Sequence, residues 1–341
     1  MSKVAILLSG GVDSSVSAYI LKKLGYDLIG IHLKIVPCSK EGKMYEIDAR
    51  NVAEKIEIPF YVINLEKDFE ETVVSYFVSE YKKGRTPNPC VVCNACLRFS
   101  KLFEILKKYG IEKLATGHYA RIQEVDSKFS LLRGKDPNYD QSYFLYRLNR
   151  DILKNIIFPV GELKKERVRE IARKKGLGVY QKRSSQDFCF IEGDYREFLK
   201  KYIPEKEGNI VLPDGKVVGK HNGVFNFTVG QRKGIGSFGK PMYVIKIDPK
   251  ENLVVIGDKN LAYKKEIEVY NLHFLVEVEE EFDCLVKVRY SHKGEKAKVK
   301  ILGEKAKVFF ESPVLSPTPG QSAVFYSDDL VLGGGIIGDS F

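Results

Sequence analysis

Short apolar runs alternate with amphipathic stretches through the first half of the chain. Runs over 4–8, 28–33, 60–63 and 113–115 read as strands, while 14–24, 47–56, 69–82 and 95–109 carry helical spacing of apolar positions. This alternation predicts an α/β, Rossmann-like fold with a doubly wound parallel sheet, whose ligands sit at the carboxyl ends of the strands. A hairpin over 119–132 and a helix over 140–148 follow, and then a strongly basic helix over 163–175. Beyond about residue 201 the period changes. Short β-type runs (209–212, 242–247, 253–256) alternate with turns such as Pro213-Asp214-Gly215, and from about residue 264 only β patterns remain (282–288, 297–302, 306–310, 322–326). Regular short strands of this kind predict a small antiparallel barrel. The expected domains are a catalytic domain over 1–200 that includes the basic helix, a central β-rich domain over 201–262, and a C-terminal antiparallel β-barrel over 263–341. No internal repeat and no long low-complexity linker interrupts them.

A chain of 341 residues suits two or three cores rather than one. No apolar run approaches the ~20 residues of a membrane helix. Met1-Ser2-Lys3 leads straight into the first strand, so a cytoplasmic protein without a membrane partner is expected. The formal net charge of +10 favours a polyanionic partner such as RNA, although any lysine-rich chain carries the same excess. Six cysteines (Cys38, Cys90, Cys93, Cys96, Cys189, Cys284) in that compartment argue against a disulfide framework. Three of them fall within seven residues, which points to metal binding or thiol chemistry.

The stretch Ser9-Gly10-Gly11-Val12-Asp13-Ser14-Ser15 directly follows the first apolar run. A strand that enters a tight glycine turn and then a helix aims backbone N–H groups and a helix N-terminus at one point, where a phosphate would sit. No Gly-Lys-Ser/Thr follows, so the γ-phosphate lysine of a Walker A loop is missing. Small hydroxyls with an aspartate suit retention of pyrophosphate as ATP is split between its α- and β-phosphates. A serine-capped helix after a turn is the plainer reading, but it does not account for paired glycines, aspartate and paired serines in this order.

Arg85 to Cys96 carries a second constellation. Asn88 suits an N-cap and Pro89 the first helical position, which puts Cys90 and Cys93 in the first two turns, three residues apart. A helix N-terminus depresses thiol pKa, so both are expected as reactive thiolates or metal ligands. Cys189 lies far along the chain but could reach the same cleft. Cys90, Cys93, Cys96 and Cys189 also offer the four thiolates of a structural zinc site. Cys96, Cys38 and Cys284 read more simply as buried apolar filling.

The glycine loop resembles the signature of the PP-loop ATP pyrophosphatase superfamily, whose members adenylate a carbonyl oxygen and then displace AMP. It occurs here in order with Thr86-Pro87-Asn88-Pro89 and Cys93, Thr116-Gly117-His118-Tyr119-Ala120, and Asp140-Gln141-Ser142-Tyr143-Phe144-Leu145. Phe158-Pro159, Cys189, Gly230-Gln231-Arg232-Lys233-Gly234 and Pro319-Gly320-Gln321 complete the set. Over essentially the whole chain this pattern resembles the tRNA-specific 2-thiouridylase (MnmA) family. The resemblance implies ATP-dependent 2-thiolation of the wobble uridine of tRNA, by O2-adenylation and then sulfur transfer. It makes Cys93 the nucleophile and Cys189 the bearer of a persulfide. It also places Leu33 and Gly117 at the adenosine, and His118, Asp140, Gln141, Arg289, Tyr290 and Gln321 on the RNA.

Ser9, Gly10, Gly11, Ser14 and Ser15 are expected to hold the phosphates, with Asp13 positioning Mg²⁺ or the leaving group. Arg232 and Lys233, in a glycine-rich loop, are expected to contact the RNA backbone. Many family members carry an aspartate where this chain has Cys90. Cys90, Cys93 and Cys189 then match the thiolate complement of three irons in a 4Fe–4S cluster, with the fourth left open for sulfide. Cluster-bound sulfide, a metal-free persulfide and structural zinc all remain open at this point.

The expected partners are the anticodon stem-loop of wobble-uridine tRNAs and a sulfur donor, either a protein or inorganic sulfide. Plainer readings stand beside several of these residues. His118 could be a hydrogen-bonded histidine at a strand end and Arg289-Tyr290 ordinary barrel surface, while the basic helix over 163–175 could track the phosphate backbone or be a solvated face. Two other functions compete. A PP-loop enzyme forming an amide or thioamide on a small molecule would need no separated cysteines, and a noncatalytic RNA-binding protein with a zinc site would release no pyrophosphate.

Overall fold

Val4, Ala5 and Ile6 are fully buried, as a continuous apolar run requires of a parallel strand covered on both faces. The computed structural model describes residues 3–36, 40–177 and 188–339. The chain divides into two compact units, one of residues 1–72, 90–190 and 329–331, the other of 73–89, 191–328 and 332–341. Among the described residues no helix is long and apolar enough to cross a membrane.

In the first unit, β1 (Lys3–Leu7) leads into α1 (Val12–Lys23), β2 (Asp27–Lys34), α2 (Lys40–Lys55) and β3 (Phe60–Asn64). The helical turn α3 (Glu66–Phe69) follows, and a π-helical stretch over Glu70–Val74 leads to α4 (Ser75–Lys82), which belongs to the second unit. Next come α5 (Pro89–Val92), a second π-helical stretch over Cys93–Lys101, and α6 (Leu102–Lys107). The unit continues with β4 (Lys113–Ala115), the hairpin of β5 (Ala120–Val125) and β6 (Lys128–Arg133), β7 (Ile156–Ile157) and α7 (Lys165–Lys174). The parallel sheet runs β3-β2-β1-β4-β7. Strand order reverses between β1 and β4, so the loops leaving those two strands flank the crevice where doubly wound sheets bind ligands. Val16, Leu21, Val52 and Val168 pack with β1 into one core.

The second unit contains α8 (Tyr195–Lys200) and the strands β8 (Gly208–Val211), β9 (Val217–His221), β10 (Tyr243–Asp248) and β11 (Leu253–Gly257). These strands form a sheet ordered β10-β11-β8-β9. They are followed by β12 (Tyr263–Phe274), β13 (Glu281–Lys287), β14 (Glu295–Leu302), β15 (Lys305–Leu315), β16 (Ser322–Ser327) and β17 (Leu330–Ile337). The order β12-β15-β14-β13-β16-β17 closes where β17 returns to pair with β12, for example Val269 with Ile337. The expected antiparallel barrel is present as a closed ring of six strands.

Three differences from the sequence reading have local causes. The helix expected over 140–148 is a single 3₁₀ turn, Ser142–Phe144. The Asp140 carboxylate accepts from the backbone N–H groups of Gly134 (3.1 Å) and Ser142 (3.0 Å), a side-chain bond that competes with helix formation. The strand β17, not among the runs singled out from the sequence, passes through Gly333-Gly334-Gly335, and glycine weakens a strand interior. In fact a Cβ on Gly333 would meet the His273 carbonyl oxygen at 2.2 Å, and one on Gly335 the Tyr270 oxygen at 2.6 Å, so the close approach of β12 demands glycine. Finally, α1 begins at Val12 rather than Ser14, because Gly11 caps it.

Candidate active site: a phosphate cradle and a thiol cluster

The cradle is built mostly from backbone. Gly10 has φ +71, a conformation suited to glycine, and a Cβ there would meet the Tyr45 carbonyl oxygen at 2.4 Å. Gly11 caps α1 with no side-chain hydrogen bond, which leaves the first-turn N–H groups directed out of the helix end. Ser15 Oγ donates to the Gly11 carbonyl oxygen (2.8 Å), as does Ser14 Oγ (3.1 Å), and the Ser9 and Ser14 hydroxyls lie 3.1 Å apart. Those bonds fix the turn before any ligand arrives. Leu33 stands half-buried near the carboxyl end of β2. Gly117, just beyond β4, fits against the start of α1 so tightly that a Cβ would lie 2.6 Å from Ser14 N.

Asp13, expected to position Mg²⁺ or the leaving group, is itself held by neighbouring side chains. Both of its carboxylate oxygens accept from Lys165 Nζ, at 2.6 and 2.7 Å, and one also accepts from the Tyr119 hydroxyl at 2.7 Å. Lys165 opens α7, is 3 % exposed, and lies over the Tyr119 and Tyr139 rings at 5.4 and 5.3 Å. The rest of α7 shows the plainer pattern, with Glu170 paired to Arg167 and Lys174 on the outside and Val168 and Ala172 in the core. Nothing in the basic run of α7 distinguished Lys165 from its exposed neighbours, so the sequence reading missed it.

The thiols gather on the other side of Gly117-His118. In a π-helical stretch backbone bonds run between residues five apart, which brings Arg98 onto the face of Cys93; in an α-helix that pair would diverge by roughly 140°. Arg98 lies near enough for its charge to act on Cys93, Cys189 and Cys90. Cys93 is buried, whereas Cys90 and Cys189 keep solvent-exposed edges with their sulfurs set among packed protein. Burial pushes the Cys90 thiol up to about 11 and that of Cys189 to about 12, and it raises Cys93 too, each time against the lowering effect of Arg98. The thiolates expected from the helix N-terminus are therefore thiols at rest, because desolvation outweighs the helix end.

Among the described residues no three His, Cys, Asp or Glu side chains converge so as to hold a metal ion. The positive charge acting on Cys90, Cys93 and Cys189 is that of Arg98. Cys96 is exposed rather than core filling, whereas Cys284 is buried as expected. Cys38 and the motif residues 184–187 lie outside the described residues.

His118 joins the two halves. Its Nδ1 lies 2.8 Å from Thr116 Oγ1, and its ring packs against Phe99 (5.9 Å) and Phe158 (6.0 Å). Burial, helped by Arg98, lowers its pKa to about 3, so the imidazole is neutral.

The remaining expected RNA contacts divide. Asp140 is buried in its turn, and Gln141 Oε1 accepts from Tyr119 N at 3.0 Å. In the second unit, Gln321 Nε2 donates to the carbonyl oxygens of Thr86 (2.9 Å) and Pro87 (3.3 Å), bracing the segment before Cys90. Arg289 donates to the Leu315 oxygen at 3.0 Å. Arg232, Lys233 and Tyr290 are exposed, and Lys233 and Arg289 line a recess of about 470 Å³ with Arg196 and Gln231.

Family models described as a tRNA methyl transferase HUP domain, a tRNA methyl transferase PRC-barrel domain and an aminomethyltransferase beta-barrel domain match residues 2–193, 196–258 and 264–337. The chain is 46% identical over 349 residues, 99% of each chain, to the tRNA-specific 2-thiouridylase MnmA 2 of Clostridium botulinum strain Hall. It belongs to the tRNA-specific 2-thiouridylase family. The thiouridylase of Clostridium perfringens is 43% identical over 351 residues, 98% of each chain. Among solved structures, a 4-thiouridine synthetase–RNA complex with bound ATP overlaps 60% of this thiouridylase and 50% of its own chain, at 18% identity and TM-score 0.38.

Proposed function

We propose that this thiouridylase uses ATP to activate the C2 oxygen of a tRNA uridine and replaces that oxygen with sulfur carried on Cys189. The observation that carries the reading is continuity within one unit. The phosphate cradle abuts Gly117, the Arg98 charge acts on its neighbour His118, and the same charge acts on Cys93, Cys189 and Cys90. The family models' descriptions name methyl transfer, but moving a methyl group calls for neither an anion cradle nor grouped thiols.

The C2 carbonyl of uridine is urea-like and resists direct substitution. In-line attack of its oxygen on the α-phosphate, with the helix end and serines holding the departing pyrophosphate, gives an O2-adenylated base. Mg²⁺ would enter with the nucleotide, since Asp13 is already engaged by Lys165. The terminal sulfur of a Cys189 persulfide then bonds to C2 and AMP leaves. Cys93, having lost its proton to solvent, attacks Cys189 Sγ. A Cys93–Cys189 disulfide forms, the bond to the transferred sulfur breaks, and the electron pair stays with that sulfur on C2. An external thiol reductant restores both cysteines. A base must leave its stack to react, at a cost of a few kcal/mol, and an anticodon-loop uridine is already partly unstacked. Arg232, Lys233, Arg289 and Tyr290 offer cations and a stacking ring for such RNA.

Incubation with tRNA, ATP, Mg²⁺, sodium polysulfide as a source of sulfane sulfur and a thiol reductant, followed by mass spectrometry of the nucleosides and assay of pyrophosphate, tests this. ATP-dependent 2-thiouridine at the wobble position is expected. Its absence from tRNA after repeated turnover of ATP would overturn the reading.

A further inference from the structure

The cation of the phosphate cradle has donor capacity that its neighbours do not use. The glycine loop lacks the lysine of a Walker A sequence, yet an ammonium reaches it from α7, 152 positions further along the chain. Lys165 Nζ bonds to Asp13 Oδ1 at 2.6 Å and to Oδ2 at 2.7 Å, and Asp13 stands in the first turn of α1. An ammonium has three N–H donors and no acceptor. Two are spent on Asp13, and no third acceptor bonds to Nζ among the described residues. The Lys165 side chain is only 4% exposed, and a buried donor left without a partner costs free energy.

The surroundings nonetheless hold the ammonium in place. Lys165 N donates to Asp136 Oδ2 at 2.9 Å, and the Tyr119 and Tyr139 rings face Nζ at 5.4 and 5.3 Å. The Tyr119 hydroxyl donates to Asp13 Oδ1 at 2.7 Å, which fixes the carboxylate as well. Asp13 keeps 29% of its side chain exposed, so the pair is not sealed off from a ligand. A contact that only pinned α7 to α1 would be served as well by apolar side chains. It would need neither a spare donor nor a charge beside an anion cradle.

We propose that Lys165 is a catalytic residue of the adenylation step, its ammonium bridging Asp13 and a phosphate oxygen of the departing pyrophosphate. The proposal rests on the thiouridylase reading and deepens it by supplying the cation that the glycine loop lacks. In that step the bond from uridine O2 to the α-phosphorus forms and the N3 proton passes to solvent. The bond from that phosphorus to the α,β-bridging oxygen breaks, and its electron pair stays on the pyrophosphate. Lys165 keeps its proton throughout and offers fixed positive charge where negative charge grows. Asp13 acts through Lys165, as a positioning residue that holds the ammonium.

The test compares the parental protein with Lys165→Met, Asp13→Asn, and the double variant carrying both changes. Titration calorimetry with pyrophosphate and Mg²⁺ reads binding without turnover and without tRNA. Asp13→Asn keeps the ammonium, so its dissociation constant should stay within about threefold of the parental value. Adding Lys165→Met to it should weaken binding at least about tenfold, as loss of a charge-assisted bond to an anion implies. That comparison leaves no unpaired charge in the double variant, so it holds even if Lys165→Met alone folds poorly. Where Lys165→Met folds, tRNA-dependent pyrophosphate release should fall by on the order of 10²-fold. Equal pyrophosphate affinity in Asp13→Asn and the double variant overturns the proposal and leaves Lys165 as the counter-ion of Asp13 alone. So does pyrophosphate release at the parental rate in Lys165→Met. If pyrophosphate affinity depends on Lys165 yet the parental protein makes no 2-thiouridine from polysulfide, the phosphate contact stands and the thiouridylase reading falls.

Discussion

The two halves of the proposed active site are built on opposite principles. The phosphate cradle consists of contiguous residues, backbone donors and short hydroxyl bonds, and it is complete before a nucleotide arrives. The thiol cluster joins residues almost a hundred positions apart, and its chemistry is decided by how deeply its sulfurs are buried and by one guanidinium. The first is a site made by geometry, the second a site made by environment. Damage to the cradle should therefore disturb both half-reactions, whereas damage to the cluster should stop only the second.

The most severe break in that division is Cys93→Ser or Cys189→Ser. Either should lower 2-thiouridine formation by on the order of 10³-fold or more, while tRNA-dependent pyrophosphate release stays within about threefold. Gly117→Ala acts on the other half. Its Cβ would push on the backbone of Ser14 and Asp13, so ATP turnover and sulfur transfer should fall together, by about 10²-fold. Asp13→Asn leaves the ammonium of Lys165 buried without its charge partner. Because Asp13 is itself 29% exposed, a loss of roughly 3 kcal/mol in folding stability is expected, toward the low end for a broken buried pair. Thermal denaturation should show Lys165→Met recovering that stability on the Asp13→Asn background without restoring ATP turnover.

Proton linkage sharpens the comparison further. Burial raises the Cys93 thiol, so below its pKa the thiolate fraction grows about tenfold per pH unit. Sulfur transfer in single turnovers should climb with that slope between about pH 7 and about pH 9, while pyrophosphate release stays flat. A flat profile for both would place Cys93 outside the limiting step. The smallest effect belongs to Cys96→Ser, an exposed thiol at the edge of the cluster, which should change either rate by less than about twofold.

The same contrast explains what the amino-acid sequence revealed. The glycine loop was legible because its function lies in local order, with a strand, paired glycines and hydroxyls in sequence. The parallel sheet and the barrel followed from period and turn residues, and the hairpin over 119–132 appears as β5 and β6. Arg98 escaped notice because α-helical spacing points it away from Cys93, and a π-helical stretch has no signature in this run of residues. The pKa of the thiols was misjudged for a related reason. A helix N-terminus can be read from Asn88 and Pro89, but the desolvation that overrides it comes from side chains packed around the cluster. Asp140 and Gln321 carry motif positions expected to meet RNA, yet each is bound to backbone, shaping a turn and bracing the segment before the thiols.

If the proposed cradle takes the nucleotide, the Asp13–Lys165 pair bears on how it enters. A lone carboxylate at the mouth of a helix end would repel each triphosphate that approached and blunt the attraction of the free N–H groups. With an ammonium clamped across both oxygens, the entrance carries no net side-chain charge, and an incoming polyanion meets the helix dipole undiminished. Lysine and aspartate at this spot act as a matched set that keeps the doorway neutral.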